Sequence, residues 1–133
     1  MTRPAHAGLR HLALNVRNLD AMKHFYVDLL GFAVEWEPDA ENIYLSSGPD
    51  NLALHVNPTR LSQEKRVDAL DHLGLIVRKP EDVDAWAAFL EGNGVAIDAK
   101  PRTHRDGARS CYFKDPDGNT VQIIHHPPIS DKA

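Results

Sequence analysis

The chain contains one nine-residue segment twice. Leu9-Arg10-His11-Leu12-Ala13-Leu14-Asn15-Val16-Arg17 returns 61 residues further on as Leu70-Asp71-His72-Leu73-Gly74-Leu75-Ile76-Val77-Arg78, identical at six of nine positions. Each copy is followed by an amphipathic stretch of helical period and then a Gly-containing turn into an apolar run. Two copies of one supersecondary unit are too few for a solenoid and point to a paired architecture. Side chains alternate along a strand, so Leu12, Leu14 and Val16 share one face and His11, Ala13 and Asn15 the other. The same split separates Leu73, Leu75 and Val77 from His72, Gly74 and Ile76. Each copy therefore carries one histidine near the start of a strand, on its less apolar face.

Residues 1–8 form a polar lead-in, with His6 expected in solvent, and residues 9–17 the first strand. Asn18 or Asp20 caps a helix in which Met22, Phe25, Tyr26, Leu29 and Leu30 recur at helical spacing, with Gly31 as its stop. That stripe is expected to pack on the leucine face of the sheet, and His24 to lie at the surface. Residues 32–37, 43–47 and 52–56 read as three further strands, which makes residues 9–56 a β-α-β-β-β module. Residues 57–69, polar and opening on Asn-Pro, read as a connector. The plan then repeats over residues 70–126. A strand leads to a helix with Pro80 in its first turn and Val83, Trp86, Ala87 and Leu90 as its stripe. A strand at 95–99 precedes a polar loop at 100–108 of a length suited to a lid. A hairpin of 109–114 and 119–126 then turns across Asp115-Pro116-Asp117-Gly118, and the tail from Pro127 is expected to be loose.

At 133 residues the chain suits a single domain, 1–133, in which two small units share a core. A net charge of −4 gives no basic footprint for nucleic acid or an anionic membrane surface and favours a small-molecule partner. The single Cys111 has no partner for a disulfide, and no cysteine pair is spaced for zinc, which suggests a reducing compartment. No signal-peptide core and no bilayer-spanning run is present, so the expected location is cytoplasmic.

The doubled Leu-x-His-Leu-x-Leu strand, Phe25-Tyr26 leading to Leu30-Gly31-Phe32, and Tyr112-Phe113-Lys114-Asp115-Pro116-Asp117-Gly118-Asn119 before the last strand resemble the vicinal oxygen chelate superfamily. That group takes in glyoxalase I, extradiol dioxygenases, fosfomycin-resistance transferases and bleomycin-resistance proteins. The resemblance spans residues 9–126 and implies an α+β fold in which two βαβββ modules curl mixed sheets around a cavity. It also implies a divalent metal held by first- and last-strand side chains, and a homodimer in which paired modules complete each cavity.

Carried over position by position, the resemblance places metal ligands at His11, His72 and Gln122. A glutamate is usual at the last of these, and a fourth family position falls on Ala53, which cannot bind a metal. Two imidazoles suit Zn²⁺, Ni²⁺, Mn²⁺ or Fe²⁺, and an amide oxygen is a weaker donor without charge. Gln122 cannot take up a proton as a carboxylate does, so His55, on the face of Ala53 and Asn57, is the candidate base. Asn15, Arg109 and Tyr112 are candidate substrate contacts, the arginine as part of a cluster with Arg102 and Arg105 suited to a phosphate or carboxylate. Trp36 and Tyr44 are candidates for an apolar wall. These residues point to a metal-dependent enzyme that chelates two neighbouring oxygens of a small substrate, of lyase/isomerase, dioxygenase or transferase type. The missing carboxylates leave a second reading, a metal-free protein of the bleomycin-resistance kind that sequesters a small molecule.

Overall fold

A first strand that alternates apolar and polar residues needs a partner on each edge and a cover for its apolar face. The computed structural model describes residues 1–57, 70–114 and 119–131 and divides the chain into two compact units, residues 11–71 and residues 1–10 with 72–133. The first module consists of β1 (Leu9–Val16), α1 (Leu19–Lys23) running into a π-helical turn (His24–Leu29), β2 (Ala33–Trp36), β3 (Asn42–Ser46) and β4 (Asn51–Val56). The second consists of β5 (Leu70–Ile76), α2 (Pro80–Gly92), β6 (Ile97–Thr103), β7 (Arg109–Lys114), β8 (Thr120–His125) and α3 (Pro127–Ser130). The connector at 58–69 and the turn at 115–118 lie outside the described residues.

Both modules use one topology. The strand order is β2-β3-β4-β1 in the first and β5-β8-β7-β6 in the second, so each opening strand lies parallel to the closing strand of its own module. The intervening helix makes the crossover such a parallel pair requires. The repeat seen in the sequence is thus a repeat of structure, an α+β arrangement of two βαβββ units. Among the described residues no helix is long and apolar enough to cross a membrane.

Each module buries an apolar cluster between helix and sheet. In the first, Val16, Leu19, Ile43, Leu45, Leu52 and Leu54 form the centre, with Met22, Tyr26 and Val27 packed on it from the helix. Asn18 caps α1, its Oδ1 accepting from Ala21 N at 3.0 Å. The expected stripe is only partly right: Phe25, Leu29 and Leu30 point to solvent. The reason is the π-helical turn, which carries more residues per turn than an α-helix and so rotates Tyr26 and Val27 inward. Gly31 then reverses the chain at φ +80°.

In the second module Val83, Trp86 and Ala87 of α2 pack on Val77, Cys111 and Ile123. Burial pushes the Cys111 thiol up to about 11, so it behaves as a small apolar residue. Three sequence expectations change here. Residues 5–8 are not a solvated lead-in: Ala7 N donates to Ile76 O, Ile76 N donates to Gly8 O, and Trp86 Nε1 donates to Ala5 O. His6 stays exposed, with its ring 5.9 Å from that of Trp86. Strand β6 runs on to Thr103, which shortens the expected lid to a tight loop closed by His104 N to Ala108 O. The tail forms α3, and Ile129 drops into a third cluster with Ile76, Ala108 and Ile124. Pro127 and Pro128 start that turn without losing any intrahelical bond.

Ile129 is 1% exposed and Leu29 63% exposed. Ile129→Ala is therefore expected to lower the unfolding free energy by about 2–4 kcal/mol, and Leu29→Ala to change it by less than about 0.5 kcal/mol. Urea denaturation of the two variants checks both the docked tail and the rotation of the helix.

Candidate metal centre

Cross-strand register gathers the polar residues of each module on one face. In the first module His11, Ala13 and Asn15 of β1 stand opposite Asn51, Ala53 and His55 of β4, and Tyr44 and Trp36 extend the same row onto β3 and β2. His11 and Asn15 are buried, although they belong to the more polar face. Each must therefore be hydrogen-bonded, since an unpaired buried polar group costs roughly 1–3 kcal/mol.

His11 is satisfied through a relay. Its Nδ1 lies 2.7 Å from Asn51 Oδ1, and Asn51 Nδ2 donates to Glu35 Oε2 at 3.1 Å. With the amide nitrogen committed to a carboxylate, the amide oxygen must accept from His11, which places the imidazole proton on Nδ1 and the lone pair on Nε2. Glu35 reaches Asn51 from a register shift in β2 between Val34 and Trp36, an irregularity of the kind that re-aims a side chain. His55 repeats the device: its Nδ1 is 2.6 Å from Asn42 Oδ1, and Asn42 Nδ2 donates to Asp39 Oδ1 at 2.9 Å. Both histidines of this face are thus set in the tautomer that presents Nε2. The Trp36 and Tyr44 rings stack at 5.3 Å, and His55 meets the Tyr44 ring edge-on at 5.8 Å. Asn15 accepts from Asn57 Nδ2 at 3.4 Å.

In the second module Gly74 of β5 pairs with Gln122 of β8, and Gln122 with Tyr112 of β7. His72, two residues before Gly74, is on the same face, and its ring meets Tyr112 edge-on at 5.4 Å. Gln122 is 3% exposed; its Nε2 donates to the Tyr112 hydroxyl at 2.9 Å, which leaves Oε1 buried without a hydrogen-bond partner. A buried amide oxygen held in place by its own nitrogen and lacking any donor is a ready ligand for a cation. Among the described residues no three His, Cys, Asp or Glu side chains gather in one place.

The structure brings His72, Gln122 and Tyr112 together in one module, and His11, Asn15 and His55 on one face of the other. Arg109 joins neither set. It alternates with Tyr112 on β7 and so faces α2, where it forms a bidentate pair with Asp84 at 2.7 and 2.9 Å. The pairing lowers the Asp84 carboxyl below its usual range and raises the guanidinium above its own. Sequence reasoning passed over Asn51, Glu35, Asn42 and Asp39. Alternation with Ala53 and His55 marks Asn51 as facing the site, but nothing local ties it to a carboxylate sixteen residues earlier.

A family model described as the Glyoxalase/Bleomycin resistance protein/Dioxygenase superfamily matches residues 8–123. The chain belongs to this superfamily. It is 27% identical over 126 residues to a biphenyl-2,3-diol 1,2-dioxygenase of Sphingomonas paucimobilis, covering 91% of this chain but 40% of that protein. It is also 27% identical over 133 residues to the metallothiol transferase FosB of Staphylococcus epidermidis, covering 93% of this chain and 84% of the relative. Among solved structures, the substrate complex of homoprotocatechuate 2,3-dioxygenase from Brevibacterium fuscum with 3,4-dihydroxyphenylacetate superposes with a TM-score of 0.72 at 29% identity, over 93% of this chain and 38% of that one. The chain thus spans less than half the length of the dioxygenases it matches, and about four-fifths of the transferase. Its relatives are of more than one reaction type.

The relay predicts a spectroscopic signature. In Asn51→Leu, His11 loses the acceptor for its Nδ1 proton, and two-bond ¹⁵N–¹H correlation is expected to change from a single Nδ1–H tautomer to a mixture. Glu35→Gln, which can still accept from Asn51, is expected to keep the tautomer.

Proposed function

We propose that the chain is a divalent-metal enzyme whose metal ligands are His11, His72 and Gln122, acting on a small molecule that offers two neighbouring oxygens. The observation that carries this reading is the buried, partnerless Oε1 of Gln122 on the face of His72. Such an oxygen is costly unless something accepts its lone pairs. The diols named for the dioxygenase relatives carry two adjacent oxygens, which is in keeping with a chelated substrate.

The residues present fit a metal such as Zn²⁺, Ni²⁺, Mn²⁺ or Fe²⁺. His11 presents Nε2 because its Nδ1–H is donated to Asn51, the second-shell arrangement that orients imidazole ligands. When bound, the ion supplies Lewis-acid stabilisation of negative charge on substrate oxygen. The protein's own residues do the rest. Two neutral imidazoles and an amide leave the cation's charge uncancelled, so the site favours a substrate that binds with at least one ionised oxygen. His55 stands four residues along β4 from Asn51, roughly 13 Å at the backbone, which suits it to proton transfer at the bound molecule rather than to ligation. Its Nδ1–H is held by Asn42, so Nε2 is the atom that takes the proton. The Trp36–Tyr44 stack offers a flat apolar surface beside it. A second copy of the chain is the expected partner, and the cytoplasm the expected location.

Metal content of untagged protein purified without chelator tests the reading. About one divalent ion per chain is expected, lost in His11→Ala and His72→Ala. Gln122→Glu is expected to bind the ion roughly 10-fold more tightly, because it adds a charged oxygen at the same position. Absence of bound metal together with no uptake of Zn²⁺, Ni²⁺, Mn²⁺ or Fe²⁺ overturns the proposal in favour of a metal-free binding protein.

A further inference from the structure

We propose that the end of the last strand is an acid-operated latch: with His125 neutral the tail α3 is seated on the second module, and protonation of His125 releases it, uncovering Ile76 and Ile124 on the face of His72 and Gln122. The inference goes beyond the function proposed above and does not depend on a bound metal.

The tail is tied by hydrogen bonds to the residue that opens it. Ser130 N and Ile129 N donate to His126 O at 2.8 and 3.0 Å, and His126 N donates to Ser130 Oγ at 2.9 Å. Packing seats the turn on the module: Ile129 lies in the cluster of Ile76, Ala108 and Ile124. Pro127 sits against the loop before β7, its Cγ 3.8 Å from where a side chain at Gly107 would begin. Ile76 lies two residues beyond Gly74, and Ile124 two beyond Gln122, so by alternation the tail covers the face that carries His72 and Gln122. One residue before the turn, His125 points the other way. It stands two residues beyond Ile123 and opposite Arg109, on the face that α2 covers. The His125 ring and the tail thus sit on opposite faces of one strand end, joined through adjacent residues.

The ring is placed for the neutral state. Its Nδ1 is buried without a hydrogen-bond partner. A neutral imidazole can leave that nitrogen as a bare lone pair with its proton on Nε2, whereas an imidazolium carries N–H at both positions and buries a donor that has no acceptor. The charged groups on the surrounding elements divide. Arg109, its cross-strand neighbour on β7, is a cation held in place by Asp84 of α2, and like charges opposite one another repel. The chain leaving β5 brings the apolar Val77 alongside, followed by Arg78 and Lys79. Burial outweighs the pull of Asp131 and of Glu81 and Asp82 on α2, and together with His126 it holds His125 below the ordinary histidine range. Once the tail lifts, the ring can turn into water and regain its ordinary value. The seated form therefore binds fewer protons than the released form. Its advantage is complete above about pH 6.5 and is lost as the pH falls below that.

Amide hydrogen exchange of the full chain tests the latch, read as protection factors so that the pH dependence of intrinsic exchange is divided out. It is compared between about pH 7.5 and about pH 5.5, beside an NMR titration of the His125 ring over the same range. Protection of Ile129 and Ser130 is expected to fall roughly 3- to 10-fold in step with that titration, while the amides of β3 and β4 in the first module hold theirs. In His125→Leu, which cannot charge, tail protection is expected to be the same at both pH values, with β3 and β4 reporting that the variant is folded. Should it not fold, coincidence of the two midpoints in the wild-type chain decides. Tail protection that stays constant while His125 titrates means that the ring swings into water alone, and overturns the proposal; so does a His125 that stays neutral throughout. A loss of protection that persists in His125→Leu belongs to another group and overturns it as well.

Discussion

Parallel pairing of the first strand of each module with its last fixes which side chains meet, because residues opposite one another in adjacent strands present their side chains to the same face. His11 is thereby set beside Asn51, Asn15 beside His55, and Gln122 between Gly74 and Tyr112. A one-residue slip in either pair would send the histidines into the apolar clusters and the leucines onto the polar face. The apolar clusters of the two helix faces oppose such a slip, since it would expose Leu52 and Leu54 in the first module and Ile123 in the second.

The polar face is as buried as the apolar one, and that has a physical cost. His11, Asn15, Asn51, His72, Ser110 and Gln122 are all withdrawn from water. Hydrogen-bond relays offset the cost: Glu35 to Asn51 to His11, Asp39 to Asn42 to His55, and Arg102 to His104 to Ser110. Each relay has a charged group at its outer end and a neutral one inside. The arrangement orients the inner group through hydrogen bonds to a neutral ring or hydroxyl. Gln122 is satisfied at nitrogen and not at oxygen, and functional sites are among the places where such groups concentrate.

Departures from regular geometry do as much as the regular parts. The π-helical turn rotates Tyr26 and Val27 onto the core and leaves Phe25 and Leu29 outside. Register shifts in β2 and β6 let Glu35 reach Asn51 beside Trp36, and set Ala99 and Arg102, three residues apart, opposite Tyr112 and Ser110 on one face, which strict alternation would not do. None of these was visible in the sequence, because an apolar spacing of three and four is compatible with both an α-helix and a helix one residue wider, and a bulge has no fixed signature beyond its strand.

Local pattern determined the modular plan. Periods of two and of 3.6 residues, with Gly and Pro as punctuation, placed the strands and the two main helices to within a few residues, and the repeat placed His11 and His72 at equivalent positions. The superfamily motifs pointed to Gln122 as well. Tertiary structure alone decided which polar residues serve these histidines, why Arg109 turns to Asp84 while Lys100 and Arg102 face a cavity, and why residues 5–8 and 127–130 belong to the second module. Periodicity reports only the face on which a side chain lies. Its partner is set by strand order, register shifts and helix packing, which join residues far apart in the chain through contacts that no local window contains.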